Sequence, residues 1–126
     1  MNKAKLAVRV IFGLMWVIFG LNFFFQFLPP QPPPPEDAMK FLGGLMTNPY
    51  MMPLIKVIEV TVGVLLLANI AVPLALVIIA PITVNIFLFH TVLAPAGGGL
   101  AILMFALNVI LGLAYINSYK PLFKRG

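Results

Sequence analysis

The sequence predicts an all-α membrane protein, an antiparallel bundle of four transmembrane helices that carries a short outer amphipathic helix. The 126-residue chain is 62% hydrophobic and only 9% charged, with a mean hydropathy of +1.09, which is too apolar for a soluble domain. Four segments are long enough to cross the hydrocarbon layer, which takes about 20 apolar residues, namely residues 6–28, 53–72, 74–93 and 99–119. We expect a single membrane domain over residues 1–126.

The first apolar segment follows a basic start at Lys3 and Lys5, as a secretory signal would. Its apolar run is longer than a signal core, and no small-x-small cleavage site follows it. We therefore expect it to remain in the mature protein as the first membrane helix. Gly13 and Gly20 within it favour the close approach of a neighbouring helix.

Residues 29–52 connect the first two membrane helices. The stretch "PPQPPPP" predicts a stiff, extended strut, because proline fixes φ and lacks an amide donor. The stretch "EDAMKFLGGLMT" then predicts a short amphipathic helix on the outer membrane surface. Its apolar residues share one helical face, and acidic Glu36 and Asp37 stand at its start. A disordered loop is the alternative interpretation.

The remaining connections are short. The link around "ANIAVP" predicts that the second and third membrane helices are antiparallel neighbours, and "APAGGG", residues 94–99, predicts the last outer turn. In the fourth helix, Gly112 with neighbouring alanines predicts another close approach between backbones.

The charge distribution predicts the topology. The net charge is +5, and six of the eight basic residues flank the two ends of the chain: Lys3, Lys5, Arg9, Lys120, Lys124 and Arg125. This pattern predicts both termini on the cytoplasmic side of the plasma (inner) membrane. The expected contact of these charges is with anionic lipid headgroups of the bilayer, and nucleic-acid binding is not expected, because the chain lacks a soluble basic face.

Several kinds of metal and redox site are excluded by composition. There is no cysteine, which excludes thiol redox chemistry, disulfides and thiolate metal sites. The single histidine cannot build a multi-histidine metal or haem site, so no metal is expected.

Polar residues occur at similar depths in all four membrane segments. Counted from the outer ends at a rise of 1.5 Å per residue, four of them lie roughly 9–14 Å deep: Asn22, Glu59, Asn85 and Asn108. Three more lie about one helical turn nearer the outer surface: Gln26, Lys56 and His90.

Glu59 is the anchor of the predicted site. A carboxylate at this depth costs about 2–4 kcal/mol when it faces lipid, so it should face the bundle interior. Lys56 precedes it by three positions, which allows an ion pair. Glu59 and His90 are therefore the candidate catalytic residues, for proton or headgroup contacts. The candidate ligand-binding residues are Asn22, Gln26, Lys56, Asn85 and Asn108.

Structural interpretations stand beside these assignments. Lys56 fits a snorkelling anchor, and His90 fits a plain interfacial residue. The asparagines fit interhelical hydrogen bonds with no ligand.

The stretches "RVIFGLMWVIFGLNFF" and "PLIKVIEVTVGVLLL" resemble the DoxX family of small four-helix membrane proteins. The resemblance is carried by Arg9, Gly13 and Gly20 and by the step from Glu59 to Gly63. It implies a membrane subunit associated with quinone-linked redox chemistry, since the family includes a subunit of thiosulfate:quinone oxidoreductase. It brings no established catalytic residues with it.

Three functions are compatible with these features. The first is binding of a quinone or lipid in an outer pocket, with electrons supplied by a redox partner protein, because the sequence contains no recognisable electron carrier. The second is a non-enzymatic accessory subunit that docks a partner, and the third is a small lipid or solute transporter. Enzymatic activity and the identity of the cofactor, quinone or lipid, stay open. The oligomeric state also stays open, since in a homo-oligomer the pocket could form between copies of the chain.

Overall fold

The computed structural model describes residues 3–27, 35–93 and 98–123 of the chain. These residues are almost entirely helical and contain no strand, so the predicted all-α fold is confirmed. The elements are α1 (Lys3–Phe25), α2 (Glu36–Thr47), α3 (Met51–Ala68), α4 (Val72–Leu88), a π-helical turn (Phe89–Leu93), α5 (Gly98–Ala114), α6 (Ile116–Tyr119) and a 3-10 turn (Lys120–Phe123). The predicted strut at 29–35 and the predicted turn at 94–99 lie largely outside the described residues.

Three elements are long and apolar enough to cross a membrane by themselves: α1, α3, and α4 together with the π-helical turn. The predicted fourth helix over 99–119 is instead broken, because α5 ends at Ala114 and the chain bends by 73°. Two tyrosines after the bend contact the rest of the bundle. The Tyr119 hydroxyl donates a hydrogen bond to the Pro73 carbonyl at 2.7 Å, and the Lys5 ammonium lies 3.9 Å from the Tyr115 ring centroid.

The closest helix pair is α1 and α3, whose backbones meet at glycines. An ideal Cβ built on Gly63 would lie 2.8 Å from the Gly13 carbonyl oxygen, and one on Gly20 would lie 3.2 Å from the Lys56 carbonyl oxygen. The close approach predicted at Gly13 and Gly20 is therefore present. At Gly112, by contrast, no atom of the described residues lies within 4 Å of the position of a Cβ, so the predicted approach there is wrong.

The turn from α3 to α4 makes them antiparallel neighbours, as predicted. Asn69 adopts a left-handed φ of 58°, and the Ile70 amide donates to the Leu65 carbonyl at 3.0 Å, which together end the helix. The Arg9 guanidinium also reaches this helix end, where it donates to the carbonyls of Leu66 and Leu67. Arg9 is buried, with 5% exposure, so it does not join a basic surface as its place in the sequence suggested.

The hydrophobic core fills the half of the bundle away from α2. Fully buried side chains from four helices meet there: Phe12, Trp16, Leu66, Ile79 and Leu111. We call the other end of the bundle, where α1 ends and α3 begins, the outer end. Trp16 lies at the boundary between this core and the outer end, edge-on to the Phe12 ring at a centroid distance of 5.7 Å.

Candidate functional site

A cavity of about 830 Å³ lies at the outer end of the bundle, and we call it the outer pocket. All five helices from α1 to α5 and the π-helical turn contribute to its wall. The volume falls within the range of ordinary small-molecule sites. Most of the wall is apolar, and four aromatic side chains belong to it: Trp16, Phe19, Phe41 and Phe89.

Five of the seven predicted site residues line this pocket: Asn22, Lys56, Glu59, Asn85 and His90. They come from α1, α3, α4 and the π-helical turn, so the fold brings together residues that are up to 68 positions apart in the chain (22 to 90). Their functional roles stay predictions, since a shared wall establishes proximity alone.

Glu59 and Lys56 form the charged part of the wall. The Lys56 ammonium lies 3.3 Å from one Glu59 carboxylate oxygen and 3.4 Å from the other, so the ion pair expected from the spacing is present. The Glu59 side chain is 2% exposed and that of Lys56 is 19% exposed. Because the two charges cancel, the pair offers the pocket an acceptor and a donor without surplus charge.

Trp16 adds a hydrogen-bond donor that sequence reasoning missed. Its side chain is fully buried, and its indole Nε1 has no hydrogen-bond partner among the described residues. A buried donor left without a partner costs about 1–3 kcal/mol. The available signal was the single tryptophan of the chain, placed in the middle of a membrane helix where its N–H requires a partner.

The other polar residues of the wall differ in exposure. Asn22 is half-buried on α1, whereas Asn85 is exposed on α4. His90 lies in the π-helical turn, with its ring perpendicular to that of Phe89 at 5.1 Å between centroids. Such turns carry an extra residue in the helix and are frequent at functional sites.

Two predicted site residues do not line the outer pocket. Gln26 follows the end of α1 with a left-handed φ of 49° and is exposed. Asn108 is half-buried on α5, and its side-chain oxygen has no hydrogen-bond partner within the described part of the chain. The angle of each residue around its helix axis was not readable from the sequence.

The acidic and histidine side chains do not cluster as metal ligands. Within residues 3–27, 35–93 and 98–123, no group of three or more histidine, aspartate or glutamate residues could hold a metal ion.

The fold and the pocket define a small multi-pass membrane protein with a polar layer near one end of its bundle. The profile of the DoxX family matches residues 4–91. The chain belongs to the DoxX family, and the resemblance found in the sequence is thereby confirmed. The match extends from α1 into the π-helical turn and includes all five predicted residues that line the pocket. No curated protein and no solved structure matches the chain.

Proposed function

We propose that the outer pocket binds the ring of a membrane quinone, or a lipid-like molecule of similar chemistry, and that the protein is a membrane subunit associated with redox chemistry. The observation that carries the proposal is a largely apolar cavity whose wall includes the Glu59–Lys56 pair and Trp16, whose buried indole N–H has no hydrogen-bond partner among the described residues. An apolar cavity with a few convergent polar groups is the usual form of a ligand site.

A quinone ring fits these groups. Its carbonyl oxygens accept hydrogen bonds, which the Trp16 indole and the Lys56 ammonium can donate. The hydroxyls of the reduced ring can donate to the Glu59 carboxylate. A phospholipid headgroup fits less well, because its phosphate requires a surplus cation and the charge of Lys56 is already balanced by Glu59.

The side chains of the wall would have distinct tasks. Glu59 and His90 would hold or exchange protons, and Asn22 and Asn85 would orient the head of the ligand through their amides. A bound quinone supplies two-electron, two-proton chemistry. We assign the electrons to a redox partner protein, since the sequence has no cysteine that could hold an iron–sulfur cluster.

The proposal extends to the membrane. The basic residues at the two ends of the chain support a plasma-membrane topology with both termini in the cytoplasm, which puts the outer pocket in the opposite leaflet. A homo-oligomer would leave this assignment unchanged, because the residues of one chain line the pocket.

The test is to purify the protein in mild detergent and to identify the bound small molecules by mass spectrometry. We expect stoichiometric quinone in the wild type and its loss in Glu59→Gln. Glu36→Gln is the matched control, because Glu36 forms a similar pair with Lys40 at 3.5 Å but is exposed on α2. The fluorescence of Trp16, the only tryptophan, should also be quenched on titration with decylubiquinone.

The alternatives predict different results. If the wild type, Glu59→Gln and Glu36→Gln all contain only bulk lipid, and Trp16 fluorescence is not quenched, the result would favour an accessory subunit that docks a partner. A transporter requires access from both ends of the bundle, and the fully buried core formed by Phe12, Leu66 and Leu111 argues against it.

A further inference from the structure

A second, smaller cavity adjoins the outer pocket. It measures about 230 Å³ and shares Phe41, Asn85 and Phe89 with the wall of the outer pocket. Its other lining residues are Leu88, Val92 and Leu93 of α4 and the π-helical turn. Apart from Asn85, which lies at the junction, every residue of this second wall is apolar.

The smaller cavity leads toward the lipid-facing side of the bundle. Leu88 is 50% exposed and Val92 is 70% exposed, so this wall borders the surroundings of the protein. At the junction with the outer pocket, the rings of Phe41 and Phe89 meet at a centroid distance of 5.7 Å. One partner of that contact belongs to α2 and the other to the π-helical turn, so a shift of α2 would widen the junction.

We propose that this second cavity, which we call the tail groove, holds the first part of the single isoprenoid tail of a quinone whose ring occupies the outer pocket. The inference rests on the proposed function. The two cavities adjoin at Phe41, Asn85 and Phe89, which line both of them, so separation of the Phe41 and Phe89 rings would give the tail a path from the polar wall to the bilayer. The ring then enters laterally from the membrane, between α2 and α4.

The volume and the apolar wall of the tail groove favour a single hydrocarbon chain as its ligand. A volume of about 230 Å³ suits one chain, whereas a phospholipid would bring two. The tail is surrounded by apolar groups in the bilayer as well as in the tail groove, so its burial adds little hydrophobic free energy. The contribution of the tail groove is therefore to orient the ring, and the position of the tail is the quantity to measure.

The test uses decylubiquinone with a diazirine on its tail, added to the protein in lipid nanodiscs. After irradiation, the labelled peptides are mapped by mass spectrometry. We expect the label on residues 85–93, and we expect excess unlabelled decylubiquinone to remove it. Leu88→Trp should fill the tail groove and lower this labelling about tenfold, because overpacking of about 1.4 kcal/mol corresponds to that factor.

Leu74→Trp is the matched control, because Leu74 is 58% exposed on the same helix and lines neither cavity. Its labelling should equal that of the wild type. The proposed tail groove would be refuted by either of two results. One is label spread over all lipid-facing helices, and the other is label on residues 85–93 that unlabelled decylubiquinone does not displace.

A second titration separates this inference from the function on which it rests. The ring alone is supplied as 2,3-dimethoxy-5-methylbenzoquinone, and its binding is read from quenching of Trp16 fluorescence. Quenching by the ring combined with tail label on α1 or α5 would refute the tail groove and leave the outer pocket as a quinone site. No quenching by the ring or by decylubiquinone would refute both.

Discussion

Replacing Gly63 by alanine tests whether the contact between α1 and α3 holds the bundle together. The added methyl group would lie 2.8 Å from both the Gly13 carbonyl oxygen and the Val17 amide nitrogen. Real Cβ atoms essentially never approach other heavy atoms this closely, and ordinary contact begins at 3.4 Å. Because two of the obstructing atoms are backbone atoms, no side-chain rotation can relieve the overlap, and the two helices must separate.

The size of the effect follows from two opposing contributions. Forcing an extra methyl group into a packed contact costs about 1–3 kcal/mol, and the overlap with two backbone atoms puts this contact in the upper part of that range, about 2–3 kcal/mol. Alanine recovers up to about 1 kcal/mol as the better helix former. We therefore expect Gly63→Ala to lower the free energy of unfolding by about 1–2 kcal/mol, which is a fall of roughly 4–8 °C in the melting temperature.

The assay is thermal unfolding in detergent, followed by circular dichroism or by the fluorescence of Trp16. Gly112→Ala is the control, since its Cβ position has no atom within 4 Å in the part of the chain that the structure describes, and only the gain in helix propensity remains. Its melting temperature should equal or exceed that of the wild type. Equal shifts in the two variants, or a Gly63→Ala protein as stable as the wild type, would refute the close approach of α1 and α3.

The same unfolding assay tests three other contacts. Lys56→Met leaves the carboxylate of Glu59 buried without its partner and should lower the free energy of unfolding by about 2–4 kcal/mol. Adding Glu59→Gln should restore most of this stability. A double variant no more stable than Lys56→Met would contradict the prediction. Tyr119→Phe removes the hydrogen bond to the Pro73 carbonyl and should cost about 1 kcal/mol, so an unchanged melting temperature would argue against the anchored bend after α5. Thr83→Val removes only a hydroxyl that donates a hydrogen bond to the Ile79 carbonyl of the same helix, so it should change the free energy of unfolding by less than about 1 kcal/mol. A larger loss of stability would indicate a further hydrogen-bond partner of Thr83.

Local spacing was readable from the chain, whereas the depth of the polar residues in the membrane stays a prediction. The rise per residue predicted one layer of Asn22, Glu59, Asn85 and Asn108, and all of these except Asn108 line the outer pocket. The i, i+3 spacing of Lys56 and Glu59 predicted their ion pair, since three residues cover almost one helical turn. The amphipathic pattern predicted α2 over the range Glu36–Thr47, where it forms.

Rotation about the helix axis was not readable in the same way. Trp16, whose indole N–H has no partner among the described residues, lines the pocket, whereas Gln26 and Asn108 do not. In a soluble protein the polar face of a helix would report its orientation. In a membrane helix both the lipid and the protein interior are apolar, so the sequence carries little contrast between the two sides.

The sequence by itself determined the class of protein, the approximate spans, the paired charges in α3 and the DoxX membership. These follow from apolar length, local spacing and motif, none of which depends on the neighbouring helices. Only the tertiary structure decided the bend after Ala114, the burial of Arg9 at the end of α3, and the position of two adjoining cavities at the outer end. Each of these depends on which residues of different helices meet, because packing and hydrogen bonds between segments have no signature within any one segment.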